Sequence, residues 1–288
     1  MARRQGRQQR RLGTAGAVAG VVACVGLGAG GCSDTAAVAP EARFGDPVRT
    51  LRGAADRLTE SGSAKARTSM QMASGGTRVT IRGEGVYDFA GRRGRLRVRL
   101  PQDAAGTSDR RPITELLVPG ALFMKNRGAG VPAGKWVRVE TASLSDGNLV
   151  TGGATDPLAA AEVLRGTHEA EYLGRTAVAG TPVHHYRGTA DLARAAERTG
   201  GSARTSLRAA AKGFATVQVP FDAYLDDRGR VRKVRHRFGF VNGQREGTVA
   251  VASTTLLYDF GVPVTVRLPD EDDIYAGKIA EEPAVKED

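Results

Sequence analysis

Cysteine is nearly missing from this 288-residue chain, which has two, Cys24 and Cys32. A disulfide framework is therefore excluded. Histidine is also scarce, with His168, His184, His185 and His236 making the full set. With so few thiols and imidazoles, a zinc site would depend on carboxylates gathered by the fold. Aromatic residues are 5% of the chain, and neither G-x-S-x-G nor H-E-x-x-H occurs. Beyond residue 31 there is no second stretch of about twenty apolar residues, the length a bilayer-spanning helix needs. Serine-hydrolase, metalloprotease and polytopic membrane classes lose their sequence support together.

What is present begins at the N-terminus. Arg3, Arg4, Arg7, Arg10 and Arg11 precede Leu12 to Gly31, a run of small and apolar residues without a charge. A basic region, an apolar region and a small-residue exit describe a secretory signal. Ala29-Gly30-Gly31 then meets Cys32, a junction that resembles a bacterial lipoprotein signal, although Ala29 stands where that family usually has leucine. The resemblance implies acylation of the Cys32 thiol, removal of 1–31, and anchoring on the outer face of the cell membrane. An ordinary cleaved signal, an uncleaved anchor and a cytosolic chain are the competing readings. A single cysteine left in an exported protein calls for a special explanation, which acylation supplies. Arg10-Arg11 hints at twin-arginine export, but Leu12-Gly13-Thr14 fits that motif poorly, and general secretion is the reading adopted.

Charge follows from this division. The net charge of +11 falls to about +6 once the five leading arginines are set aside. An exported, mildly basic surface points to anionic headgroups or wall polymers rather than to nucleic acid. Residues 32–45 read as a lipidated tether, 46–269 as one domain and 270–288 as an acidic, frayed tail.

Within the domain, Asp46-Pro47 marks a helix start, with Val48, Leu51, Ala55 and Leu58 on one face and Ser61-Gly62 as its end. The period then changes to two. Ala66, Thr68, Met70 and Met72 form one strand face, and Val79, Ile81, Tyr87 and Phe89 another, with Gly83 and Gly85 suggesting a bulge. Leu96, Val98 and Leu100 alternate strictly with Arg95, Arg97 and Arg99, an apolar face backed by a cationic one. Short strands follow on either side of Pro119-Gly120 and at Trp136–Val139, then a polar, glycine-rich loop over Ser143–Thr155. A second Asp-Pro helix starts at Asp156-Pro157, before strands at Glu169–Val178 and Pro182–Asp191. Leu192–Lys212 reads as helix broken near Gly200-Gly201. The chain then predicts strands at Val217–Leu225, Val231–Phe240, Thr248–Tyr258 and Val262–Leu268, with a hairpin turn at Asn242-Gly243. The overall pattern is α+β, each half a helix followed by an antiparallel meander.

Candidate chemistry is thin. The Gly128–Lys135 loop has the wrong spacing for a phosphate loop, and Trp136 stands where a magnesium-binding hydroxyl belongs. His184 and His185 are adjacent on a strand and point to opposite faces, which disfavours a shared metal. Asp226-Asp227 and Asp272-Asp273 read as solvated charge. Arg95 to Arg99 reads as a solvated outer face, or else as a cationic patch against headgroups. No catalytic residue, metal ligand or cofactor is assigned, and the chain reads as a non-enzyme and a monomer.

The order of motifs is similar to the actinobacterial lipoproteins of the LprG/LppX type. It rests on Cys32, the Asp46–Leu58 helix, Gly134-Lys135-Trp136-Val137 and the Asp156-Pro157 helix. Gly180-Thr181-Pro182-Val183-His184-His185-Tyr186-Arg187-Gly188, Tyr224–Val231 and Tyr258–Val264 complete it. That resemblance implies a LolA-like fold, a curved antiparallel half-barrel with helices across its concave side. It also implies a cavity for acyl chains of a lipid or lipoprotein. Leu51, Leu58, Met70, Met72, Ile81, Phe89, Leu96 and Val98 would line it. A filled core built from the same side chains, in an interaction protein that docks a membrane or wall partner, is the alternative.

Overall fold

The computed structural model describes residues 45–74, 77–101, 111–128, 130–241 and 248–276. All described elements lie within the unit Val38–Asp288. Cys32, the signal stretch and the tether up to residue 44 are outside the described residues, as are Asn242-Gly243 and the tail from residue 277.

The Asp46-Pro47 start forms as read. Asp46 accepts a hydrogen bond from Arg49 N at 3.1 Å and Pro47 opens α1 (Pro47–Arg52). The helix breaks at Gly53 and resumes as α2 (Ala54–Glu60), which keeps Leu51, Ala54, Ala55 and Leu58 buried on one side.

Six strands follow: β1 (Ser63–Ser74), β2 (Thr77–Asp88), β3 (Arg93–Arg99), β4 (Ile113–Val118), β5 (Ala121–Lys125) and β6 (Trp136–Glu140). After α3 (Pro157–Val163), β7 (Thr167–Val178) and β8 (Thr181–Asp191) lead into α4 (Leu192–Glu197) and α5 (Gly201–Gly213). The chain closes with β9 (Gln218–Leu225), β10 (Val231–Val241) and β11 (Thr248–Tyr258). All strands pair antiparallel in one sheet ordered β6-β5-β4-β3-β2-β1-β11-β10-β9-β8-β7. The two meanders of the sequence thus join along a β1–β11 seam. The sheet is a curved open half-barrel, and the helices cover its concave face, α2 and α3 over β10 and α4 against β8.

Period-two alternation survives cleanly in β3, where Arg93, Arg95, Arg97 and Arg99 are exposed and Gly94, Leu96 and Val98 buried. Gly83 and Gly85, read as a bend or bulge, sit in unbroken register with β1 and β3, so no bulge forms there. Their role is close approach: a Cβ on Gly85 would lie 1.9 Å from the Arg95 carbonyl oxygen.

Val262–Leu268, read as a strand, joins no ladder. It runs as an extended strap on the outer side of the sheet, where Val266 and Ile274 pack with Leu116, Ala121, Phe123 and Trp136. Pro263 and Pro269 cannot donate to a ladder, and the outward apolar residues of β4 and β5 need cover. The acidic segment from Asp270 starts out attached: Ile274 bridges Trp136, and Tyr275 N donates to Trp136 O at 2.8 Å.

A buried carboxylate ties the helices together. Glu162 on α3 accepts from Arg92 (3.0 Å), Thr199 (3.0 Å) and Arg165, whose guanidinium also grips Asp56 on α2. Desolvating a carboxylate is costly unless it is paired this fully.

Candidate functional site

The concave face carries the main hydrophobic cluster of the described residues. All eight predicted lining residues lie there or in the helices facing it, and belong to one hydrophobic cluster. Leu51, Leu58, Met70, Phe89, Leu96 and Val98 are at most 1% exposed, Ile81 is 6% exposed, and Met72 is half-buried. Cross-strand register makes the row continuous: Val79 pairs with Met72, Met72 with Val251, and Val251 with Phe238. Phe214, after α5, stacks on Phe238 at 4.9 Å and meets Phe240 edge-on at 4.4 Å.

The cover has two parts. Over β10 and β11 it is helical. Over β1 to β4 it is the 144–155 segment, which the sequence presents as a polar loop. Leu149, Ala154 and Thr155 of this segment are buried to within 1%. Asp146 folds it on itself, its carboxylate accepting from the backbone N–H groups of Asn148, Val150 and Thr151 at 2.9, 2.9 and 2.5 Å. These bonds satisfy a loop backbone away from water. Gly147, at φ +58°, and Gly213 hold it against α5, since a Cβ on either would lie 2.0 Å from a carbonyl oxygen of the other segment. Leu192–Lys212, read from the sequence as a broken helix, therefore helps carry the cover.

Among the described residues, one side-chain hydrogen bond joins 144–155 to the sheet. The Thr155 hydroxyl donates to Leu149 O at 2.8 Å, so the Ser253 hydroxyl, 2.5 Å away, donates to Thr155. At the end of the segment, Asp156 caps α3 through the N–H groups of Leu158 and Ala159, and Tyr87 donates to it at 3.0 Å. Burial raises the pKa of both Asp156 and Tyr87.

Buried polar groups interrupt the grease. Glu115, 0% exposed between Leu96 and Met124, has no partner for either carboxyl oxygen among the described residues. Burial pushes its pKa up to about 8, with Arg127 pulling the other way. His236 is buried with Nε2 unpartnered, and burial alone pushes its pKa down to about 3. Thr68 and Thr255, opposite each other across the seam, also hold unpartnered hydroxyls. Burial thus favours the protonated carboxyl of Glu115 and the neutral ring of His236.

A small, partly open pocket beside Tyr87, Asp156, Leu158 and Leu207 has a volume of about 70 Å³. Ligand sites usually measure roughly 300–1,000 Å³. None of the eight predicted lining residues borders this pocket. The concave row does reach past the cover: Met72, Val79, Leu100, Phe240 and Val249 are only half-buried.

Histidines elsewhere have separate partners. His184 contacts Tyr172 and Asp227, while His185 contacts Asp222 and stacks on Tyr224. Asp226, read as solvated, is instead buried and caps its turn through Arg228 N and Arg230 N. Among the described residues no three metal-ligating side chains converge.

The fold has solved counterparts. This chain is similar to LppX and LprF. LppX, a lipoprotein of Mycobacterium tuberculosis, is 11% identical, with 77% of this chain covering all of LppX at a TM-score of 0.44. LprF from Mycobacterium bovis is 13% identical, with 78% of this chain covering 98% of it at a TM-score of 0.40. A domain named for outer membrane lipoprotein sorting, from Vibrio parahaemolyticus, is 10% identical at a TM-score of 0.30, with 78% of this chain covering 94% of it. No family model and no curated protein matches the chain. LppX is also one of the two proteins that the sequence resemblance names. About a quarter of this chain lies outside its match to LppX.

Proposed function

We propose that this protein is a non-catalytic carrier that takes an acyl-chain lipid or lipoprotein onto its concave face, while Cys32, acylated, anchors it to the outer face of the cell membrane. The supporting observation is the cover. An apolar row continues past it to half-buried Met72, Val79, Leu100, Phe240 and Val249, and the 144–155 segment above the row is bonded mainly to itself. A segment that keeps its own hydrogen bonds can lift with little polar penalty, since few groups are left unpaired. The uncharged state of Glu115 and His236 suits hydrocarbon, which strands any charge it touches.

Native mass spectrometry with organic extraction tests this on the chain from Ser33 onward, made in a lipid-rich host. Stoichiometric adducts of lipid mass are expected, and Met72→Glu or Val249→Glu at the half-buried rim should remove them with the fold retained. A bare protein mass, with no uptake of added lipid, would sink the carrier reading. The 70 Å³ pocket would then mark a filled core in an interaction protein that docks a membrane or wall partner. Anchoring is tested separately, because Cys32→Ser should move the protein from the membrane to the soluble fraction.

A further inference from the structure

We infer that the outer, convex face of β1, β2 and β3 is a docking surface for the anionic headgroups of a phospholipid bilayer. Arg67, Arg82, Arg95, Arg97 and Arg99 all project there and are exposed. The carboxylate among them is Glu84, 3.8 Å from Arg99. Register places Arg82 directly opposite Arg99. Like charges in directly opposed positions destabilise a sheet, and an external anion between them removes that penalty.

Shape agrees with charge. A groove of about 450 Å³ is lined by Arg67, Arg82, Arg97 and Arg99 together with Glu84 and Leu256, four cations against one carboxylate. A second, of about 400 Å³, lies where the C-terminal strap crosses the sheet and sets Arg95 and Arg267 beside Leu116 and Trp136. Leu268, next to Arg267, is 50% exposed. Arginine stems, a tryptophan and a leucine around cationic grooves match the headgroup zone of a bilayer, where amphipathic side chains keep an apolar body and a polar tip in contact with different layers. A surface made only for polyphosphate has no use for the apolar members.

Choosing a bilayer over other polyanions rests on the proposed export of the chain. The inference is independent of whether the concave face carries lipid. The test uses the Val38–Asp288 unit, which holds every described element and the core and lacks Cys32. Its flotation is measured with vesicles of mixed phosphatidylglycerol and phosphatidylcholine, and with phosphatidylcholine alone. Binding to the anionic vesicles alone, weakened by salt, is expected. At about fivefold per arginine near the surface, R82Q/R97Q/R99Q should lower partitioning roughly 100-fold, and the corresponding lysine triple should restore most of it. The charge-matched control R49Q/R194Q/R208Q, on the helical side, should bind like the parent. Circular dichroism confirms that each variant is folded.

Equal loss in both glutamine triples overturns the inference, since net charge alone would then account for binding. So does binding to polyphosphate without binding to vesicles. Vesicle binding without lipid uptake in the mass-spectrometric experiment supports the docking surface on its own, whereas uptake without vesicle binding overturns it.

Discussion

Replacing Glu115 with glutamine should flatten the pH dependence of stability in one defined window. In the folded protein burial holds the Glu115 carboxyl protonated up to about pH 8, whereas its ordinary value is 4.5. The unfolded chain therefore releases a proton that the folded chain keeps, and stability falls as pH rises between those values. His236 acts in the opposite sense. Burial pushes it down to about 3 from 6.5, so the unfolded chain takes up a proton that the folded chain refuses, and stability rises with pH up to 6.5. The two slopes offset one another between 4.5 and 6.5. From 6.5 to 8 His236 no longer offsets Glu115, whose slope of about 1.36 kcal/mol per pH unit removes about 2 kcal/mol. Urea unfolding of the Val38–Asp288 unit at the two ends of that window measures it through the midpoint at constant m. The parent should lose about 2 kcal/mol and Glu115→Gln close to none of it. An equal loss in both proteins would falsify the assignment of a protonated, unpartnered carboxyl at this site.

Other substitutions probe the remaining structural arguments. In His236→Phe, stability should rise on acidification from pH 6.5 to 4.5, where the parent stays level, because the Glu115 slope is then unopposed; urea midpoints across this range decide it. Gly85→Ala drives a methyl group into the Arg95 carbonyl and should cost about 1–3 kcal/mol in thermal unfolding; an unchanged melting temperature would mean that β2 and β3 are less close than described. Glu162→Ala takes the shared acceptor from Arg92, Arg165 and Thr199 and leaves Arg165 held by Asp56 alone, with an expected loss of about 1–3 kcal/mol. Glu162→Gln, which keeps the acceptor oxygen, should lose less in the same melts.

Much of the fold could be read from local pattern. Asp46-Pro47 and Asp156-Pro157 announced both helix starts, because an N-cap acceptor and a preset proline φ act over neighbouring residues. The β3 face was legible because arginine and aliphatic residues alternate without exception. Three features failed for non-local reasons. Gly83 and Gly85 suggested a bend or bulge, yet no bulge forms, and what Gly85 accommodates is the backbone of β3. Val262–Leu268 has the composition of a strand, but its destination was the outward apolar residues of β4 and β5, which no window around it reveals. The 144–155 segment is rich in glycine and polar residues, and its burial depends on Asp146 folding the loop around its own side chain. The candidate site was half legible. Its greasy residues followed from strand alternation, whereas Glu115 and His236 were buried by tertiary packing that places charge-bearing residues on inward positions.

The seam between the meanders also fixes the order of assembly. Lys65 pairs with Tyr258 across about 190 residues, while the other pairings join strands close in sequence. Each meander can form by adding neighbouring strands, but the seam must close the longest loop, at the largest entropic cost. During synthesis, at about 5–20 residues per second, β1 waits roughly 10–40 s for β11 to be made. Through that interval the free edge of β1 can accept β11 from a second copy as readily as its own. The kinetic weak point of the molecule is therefore its central pair of strands, and exchange of the C-terminal meander between two chains is the misassembly to which this topology is most open.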